Sequence, residues 1–168
     1  MRPLDPFDAP ELAAAYARNR NHLRPWEPTR PDVFFTAEGQ QGAVARCVTD
    51  REGGRGYFWV LVEGDAIVGR ISLTDVVRGV FQSGNLGYWV AADRQGKGIA
   101  SAAVARVCGE AAEVLGLHRI QAGTVVHNIG SQRVLERCSF TRIGLAEKYL
   151  AIDGRWQDHV LFQRILRD

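Results

Sequence analysis

The run DRQGKGIA, Asp93 to Ala100, sets two glycines around a lysine, between the apolar stretch GYWVAA and an alanine-rich stretch. N–H groups at a helix start lack intrahelical partners and sit at the positive end of the helix dipole. Glycine removes side chains, so an anion can come close to that backbone. Gly96 and Gly98 therefore predict an anion-binding turn, with Arg94 or Lys97 adding charge, in a setting that suits phosphate. Two common phosphate patterns are absent. There is no P-loop spacing, and Ser101 stands where G-x-G-x-x-G would have its third glycine. Taken alone, the residues fit a ligand-free turn equally well.

Other chemistries are poorly supplied. Cys47, Cys108 and Cys138 are odd in number and fit no zinc spacing, so they read as reduced, buried hydrophobes. His118 reads as the start of a strand, without metal partners nearby. Across 168 residues, 21 basic and 19 acidic side chains give a formal charge of +2, and the arginines are scattered. That balance argues against nucleic acid as a partner. No stretch has the apolar length of a bilayer span or a signal peptide, so the expectation is a cytoplasmic protein in a reducing setting.

The elements that must hold the turn follow from pattern. One domain over residues 1–168 is expected. DAPELAAAYARNR reads as a helix, with Asp8 as its cap and Glu11 completing a capping box. NHLRPWEPTRPD is proline-broken and reads as irregular. A second helix is expected from about Thr36 to Arg51, weakened by Gly39 and Gly42. YFWVLVE and AIVGRISLTDV read as strands of a hairpin turning at EGDA. NLGYWVA is the next strand, Lys97 to Leu115 a long helix, HRIQAGTVV a strand and IGSQRVLERC a short helix. A terminal hairpin turns at Asp153-Gly154. The order predicts a mixed α/β sheet, an antiparallel meander followed by a strand–helix–strand unit with two parallel strands, then the hairpin.

The turn Gln95-Gly96-Lys97-Gly98-Ile99-Ala100 resembles the Q/R-x-x-G-x-G/A motif of the GCN5-related N-acetyltransferases, the GNAT superfamily. The order of elements matches over almost the whole chain. NRNHLRPWEP, VVRGVFQSGNLGYWV, the HRI, HN and Ser131 positions, and YLAIDGRWQDHVLF resemble its RimJ/RimL-type ribosomal-protein-alanine N-acetyltransferases, RimJ most closely.

The resemblance implies acetyl transfer from acetyl-CoA to an amine in a ternary complex, without a metal. The implied acceptor is a protein N-terminus, such as that of a ribosomal protein. A small amine (antibiotic or metabolite) and a non-catalytic acyl-CoA-binding module are the alternatives. A monomer or homodimer fits either. The strand Tyr88, Trp89, Val90, Ala91 and Ala92 would present backbone to the cofactor, with the Val90 N–H on the oxyanion. The turn from Arg94 and Gln95 through Gly96, Lys97, Gly98, Ile99, Ala100 and Ser101 would cradle the pyrophosphate. Many relatives carry a glutamate base on one of two strands. Asn85 and Gly123 stand at those positions here. Both carboxylates are missing, which suits direct attack with water relaying the proton. An α-amine with pKa near ~8 is roughly one-tenth neutral at pH 7, whereas lysine near ~10.4 would need more help.

Glu27, Asp75 and His22 remain as candidate bases, each also readable as a surface or loop-fixing residue. Leu135 replaces the family tyrosine acid. The resemblance instead assigns Asn128 to the pantetheine arm and Ser131 to protonation of the leaving thiolate, although both types are also normal at a helix start. Trp26 and Glu27 resemble the acceptor loop, with Asn85 and Tyr149 at the acceptor slot. Tyr149 and Trp156 fit a slot wall or cross-strand packing. Asp158-His159 reads as a buried structural hydrogen bond rather than a catalytic pair.

Overall fold

The computed structural model describes residues 1–167. Its strands are β1 (Arg2–Pro3), β2 (Tyr57–Glu63), β3 (Ala66–Val77), β4 (Ser83–Val90), β5 (Arg119–Val125), β6 (Thr141–Ile152) and β7 (Arg155–Ile165). Helices α1 (Ala9–Arg18), α2 (Arg20–Leu23) and α3 (Ala37–Glu52) precede β2. Helix α4 (Ile99–Glu113) joins β4 to β5, and α5 (Ile129–Arg137) joins β5 to β6. The strands form one sheet in the order β1-β2-β3-β4-β5-β7-β6. Only β4 and β5 run parallel. This is the expected mixed sheet, with the last strand inserted between β5 and β6.

Strand β2 shows how one apolar run serves two layers. Successive side chains of a strand point to opposite faces. Phe58 and Val60 pack with Leu12, Tyr16 and Val44 from α1 and α3. Trp59 and Leu61 belong to the other core, with Val104 and Val107 of α4 and Ile120 of β5. Burial on both faces is why Phe58 to Val62 is apolar throughout. Helix α4 buries Ala103, Val104, Val107, Cys108 and Ala111, one stripe at helical spacing. Burial pushes the Cys108 thiol up to about 11, which keeps it an unreactive hydrophobe. Among the described residues, no helix is long and apolar enough to cross a membrane.

Several local expectations need correction. The side chain of Asp8 does not cap α1. The capping box forms one turn earlier, between Asp5 and Asp8 around the 3-10 turn Pro6–Asp8. The unanticipated β1 pairs with Trp59 and Val60 and carries Arg2 to Asp8, with an N–O distance of 2.5 Å. The Asp8 carboxylate is taken up by the Arg2 guanidinium and the Asp5 N–H instead. Glu11 turns instead to Arg18 at 2.7 Å and accepts from the Ile67 N–H at 3.2 Å. The segment NHLRPWEPTRPD is partly regular: it enters α2 and 3-10 turns at Arg24–Trp26 and Asp32–Phe35, and is irregular as expected from Glu27 to Pro31. Proline is tolerated at the start of such short turns, where its missing N–H costs nothing. Helix α4 begins at Ile99 rather than Lys97 because Gly98 is left-handed, φ 78°.

Helix α3 starts as expected after Thr36, whose Oγ1 accepts the Gly39 N–H at 3.1 Å. A Cβ at Gly39 would lie 1.9 Å from the Val33 carbonyl oxygen. That glycine therefore lets the turn Asp32–Phe35 fold against the first turn of α3. Thr36→Ala should lower unfolding free energy by ~1 kcal/mol, the worth of a cap. Gly39→Ala should cost more, within the ~1–3 kcal/mol of overpacking. Urea titration of both variants checks the order.

Candidate active site

The site begins where two strands part. Strands β4 and β5 pair only over Ser83–Asn85 and Arg119–Gln121. Beyond Asn85, β4 stays zipped to β3 as far as Val90, and β5 stays zipped to β7 as far as Val125. The Ala91 N–H donates to the Val68 carbonyl at 2.8 Å. Strand groups alternate, so the N–H groups of Val90, Tyr88 and Leu86 point the other way, toward the gap. Ala91 and Ala92 are committed elsewhere, since the Ala92 N–H donates to Asn19 Oδ1 at 2.9 Å. The Trp89 indole is buried and donates to Tyr16 Oη at 3.1 Å.

A cavity of about 370 Å³ occupies the parting. Leu86 to Trp89 line one side, and Ala122 to Val125 the other. Asn128, Ser131 and Leu135 close one end, while Tyr16, Trp26, Glu27, Arg30 and Arg70 close the opposite end. A second cavity of about 400 Å³ shares Tyr16, Glu27 and Arg30 and runs on to Arg24, Thr29 and Asp153. The segment bearing Trp26 and Glu27 is fastened to the terminal hairpin. Arg24 pairs with Asp153 at 2.9 Å, and the Asp153 N–H donates to the Glu27 carbonyl at 3.1 Å.

At the α5 end, Asn128 is the helix cap, its Oδ1 accepting the Ser131 N–H at 3.1 Å. Its Nδ2 has no hydrogen-bond partner among the described residues. Tyr88 Oη lies 2.9 Å from the Ser131 hydroxyl and 3.2 Å from the Ser131 carbonyl, so its single hydrogen serves one of these two acceptors. Burial pushes the Tyr88 phenol up to about 12, so it stays protonated near neutral pH. Leu135 is fully buried and supplies only packing. The Tyr88 hydroxyl escaped sequence reading because only folding carries β4 past α5.

The turn before α4 has the geometry of an anion seat. Gly96 and Gly98 have φ 72° and 78°, and nothing lies within 4 Å of a Cβ built on either. The helix has no side-chain cap, so the N–H groups of Ile99, Ala100 and Ser101 are left without intrahelical partners. Lys97 is exposed beside them. Arg94 instead pairs with Glu63 at 2.7 Å and Asp93 at 2.6 Å, so its charge is already matched. Gln95 Nε2 lies 3.0 Å from His22 Nε2.

Of the three candidate bases, only Glu27 lines the cavity. Burial raises its carboxyl above the ordinary range, while Arg30 and Arg70 pull it back down. Asp75 accepts from Asn85 Nδ2 at 3.3 Å, and His22 sits at the outer turn. Tyr149 is half exposed, its ring 5.5 Å from His159, and Trp156 is largely exposed. Trp26 lies 5.2 Å from the His127 ring. Asp158 and His159 do not form a pair. Asp158 accepts the Lys148 N–H at 2.8 Å, and His159 Nδ1 meets the Gln157 carbonyl at 2.9 Å. Adjacent strand residues point to opposite faces, which separates them. His159 lines the cavity, a placement that sequence reading missed. Among the described residues, no group of three or more His, Cys, Asp or Glu can hold a metal.

The raised Glu27 carboxyl makes a prediction. A folded-state pKa above the unfolded value favours folding below the unfolded pKa, and that gain is lost as pH rises through the folded pKa. At neutral pH the buried charge is therefore a burden. Glu27→Gln should raise Tm at pH 7, and the difference should shrink as pH falls through the carboxylate range. Calorimetry at pH 7 and pH 4 measures both.

Residues 1–141 match the acetyltransferase (GNAT) domain family. The ribosomal protein uS5-alanine N-acetyltransferase of Escherichia coli (strain K12) is 36% identical over 156 residues, 92% of this chain and 80% of that protein. The crystal structure of ribosomal-protein-S5-alanine acetyltransferase from Vibrio fischeri superposes with a TM-score of 0.96 at 36% identity, covering 99% of this chain and 92% of that one. Mycobacterium smegmatis RimJ in complex with CoA-disulfide gives 0.93 at 31% identity, covering 98% and 80%. With the parted strands, the glycine turn and these matches in agreement, the chain belongs to the GNAT acetyltransferase family.

Proposed function

We propose that this protein is an acetyl-CoA-dependent N-acetyltransferase of the bacterial cytoplasm. Its acceptor is the α-amino group of a protein N-terminus, such as that of a ribosomal protein. The observation that carries this reading is the cavity reaching through the parting, with hydroxyls at one end and a carboxylate at the other. The glycine turn suits the pyrophosphate of acetyl-CoA. The pantetheine arm would run along the gap past Asn128. The CoA complex of the mycobacterial neighbour supports that cofactor. The second cavity extends the acceptor end past Glu27, which suits a polypeptide longer than one residue. The E. coli and V. fischeri relatives, named for ribosomal protein S5, support the acceptor class.

In the mechanism, the neutral amine attacks the thioester carbon from the Glu27 end. Negative charge moves onto the carbonyl oxygen, where a preorganised N–H donor is worth most. The Val90 N–H, aimed into the gap, is that donor. The C–S bond then breaks, and the Ser131 hydroxyl donates to the departing sulfur. Tyr88 backs Ser131, because a phenol held protonated can pass a hydrogen bond along the pair. A thiol pKa near ~8.5 makes even a hydrogen bond useful to the leaving group.

Thiol release from acetyl-CoA with an alanine-starting peptide tests the reading. Turnover of amino sugars or aminoglycosides without peptide turnover would overturn the acceptor. CoA binding without turnover of any amine would overturn catalysis. Ser131→Ala and Tyr88→Phe should each lower kcat by roughly ten-fold or more, the scale of general acid assistance. The double variant should lose little beyond the larger single loss, because the two hydroxyls act as one unit. Gly98→Ala should raise KM for acetyl-CoA, since a side chain at that φ strains the seat by ~1–2 kcal/mol.

A further inference from the structure

We propose that His159 is the proton acceptor for the attacking amine. This deepens the acetyl-transfer reading and rests on it. His159 is 3% exposed, yet its ring lines the cavity at the strand parting. Its Nδ1 lies 2.9 Å from the Gln157 carbonyl oxygen. A carbonyl can only accept, so Nδ1 carries the hydrogen. In the neutral ring that leaves the lone pair on Nε2. The fully buried side-chain polar atoms without a partner belong to Gln40, Arg70, Ser83, Arg119 and Thr124. His159 Nε2 is not among them and has no hydrogen-bond partner among the described residues. It therefore opens on the cavity.

Strand β5 makes room for this ring. Gly123 and Val125 face Leu161 and His159 across the β5–β7 ladder. A Cβ at Gly123 would touch Leu161 at 3.5 Å and both His159 and Tyr149 at 3.7 Å. Those are ordinary contacts, and Gly123 has no left-handed φ that would demand glycine. The space that a side chain on β5 would fill is edged by the imidazole from β7. A carboxylate absent from β5 is thus replaced by a base from the neighbouring strand.

The step balances. The amine nitrogen forms a bond to the thioester carbon, and the C=O π pair moves to oxygen. The nitrogen, now cationic, gives one proton to His159 Nε2. The carbonyl re-forms, the C–S pair leaves on sulfur, and the thiolate, hydrogen-bonded by Ser131, takes a proton from solvent. His159 returns its proton to solvent. The hydrogen bond from Nδ1–H to Gln157 strengthens as the ring becomes cationic. Tyr149 of β6 packs against the ring, and Glu27 and Arg30 of the N-terminal segment and Arg70 of β3 line the same cavity. Neighbouring Asp158 is turned away to the Lys148 N–H.

Two measurements test this. The first is the kcat–pH profile of wild type and His159→Gln with saturating acetyl-CoA and an alanine-starting peptide. The variant should lose ~100-fold in kcat at pH 7, the lower range of general-base assistance. It should also lose the acid limb of the wild-type profile, with KM for acetyl-CoA little changed. A loss under three-fold, or a variant profile parallel to wild type, overturns the proposal. The second needs only the wild-type protein and no acceptor: 15N NMR of the imidazole. A protonated Nδ1 and bare Nε2 are expected, and the opposite tautomer overturns the role even where the variant fails to fold. Absence of peptide turnover by wild type would instead sink the acceptor reading, and leaves the tautomer measurement to decide on His159.

Discussion

The site depends on two parallel strands that stop pairing after three residues. Strands β4 and β5 pair only over Ser83–Asn85 and Arg119–Gln121, and each then continues with its other neighbour. Leaving backbone donors unpaired in a closed interior would cost ~1–3 kcal/mol each. The parting is tolerable because it is a cavity rather than a sealed core. Both flanks are held by burial. Ile71 and Leu73 of β3 and Ile120 of β5 are completely buried, and Phe162 of β7 nearly so. The sheet is therefore rigid on both sides of its one open seam, and the exposed N–H groups are aimed before any ligand arrives.

Around that seam, distant segments are tied to one another. Asn19, just past α1, holds the Ala92 N–H at the end of β4. His22 meets Gln95 in the glycine turn. Arg24 and the Glu27 carbonyl hold Asp153 at the terminal turn. Exposed ion pairs such as Arg24–Asp153 contribute little, because solvent screens them. The backbone bond between Asp153 and Glu27 fixes geometry more firmly. The acceptor end thus combines the first 30 residues with the last 20 or so, while the α5 end is built from the middle of the chain.

The elements were largely legible because their patterns are local. Alternation in β3, the stripe on α4 and the Asp153-Gly154 turn each need only a few neighbouring residues to recognise. The anion turn was legible for the same reason, since glycine at positive φ is a local demand. The Asp8 box was misread because its competitor, Arg2, arrives through pairing with β2 more than 50 residues away. Tyr88 and His159 were hidden by the same cause. Tyr88 meets Ser131 across 43 residues. His159 reaches the seam only because β7 inserts beside β5. Asn85 and Gly123 showed from sequence that two carboxylates were missing. Only the strand order shows which side chain borders the place that one of them would have taken.

In the proposed mechanism, the two ends of the seam divide the proton traffic between groups of different character. The Tyr88 phenol, pushed up to about 12 by burial, remains a donor across the whole range in which an α-amine titrates near ~8. The Tyr88–Ser131 pair therefore adds no pH dependence of its own in that range. It also has little proton transfer to perform, because a thiolate with a pKa near ~8.5 is a tolerable leaving group once it is hydrogen-bonded. The demanding step lies at the other end, where a neutral amine becomes a cation on attack and must lose a proton before the C–S bond breaks. A base there must be uncharged beforehand, because Glu27 in the same cavity already bears the burden of a buried charge. A neutral imidazole meets that condition. On taking the proton, its charge is opposite in sign to that of Glu27, which lines the same cavity.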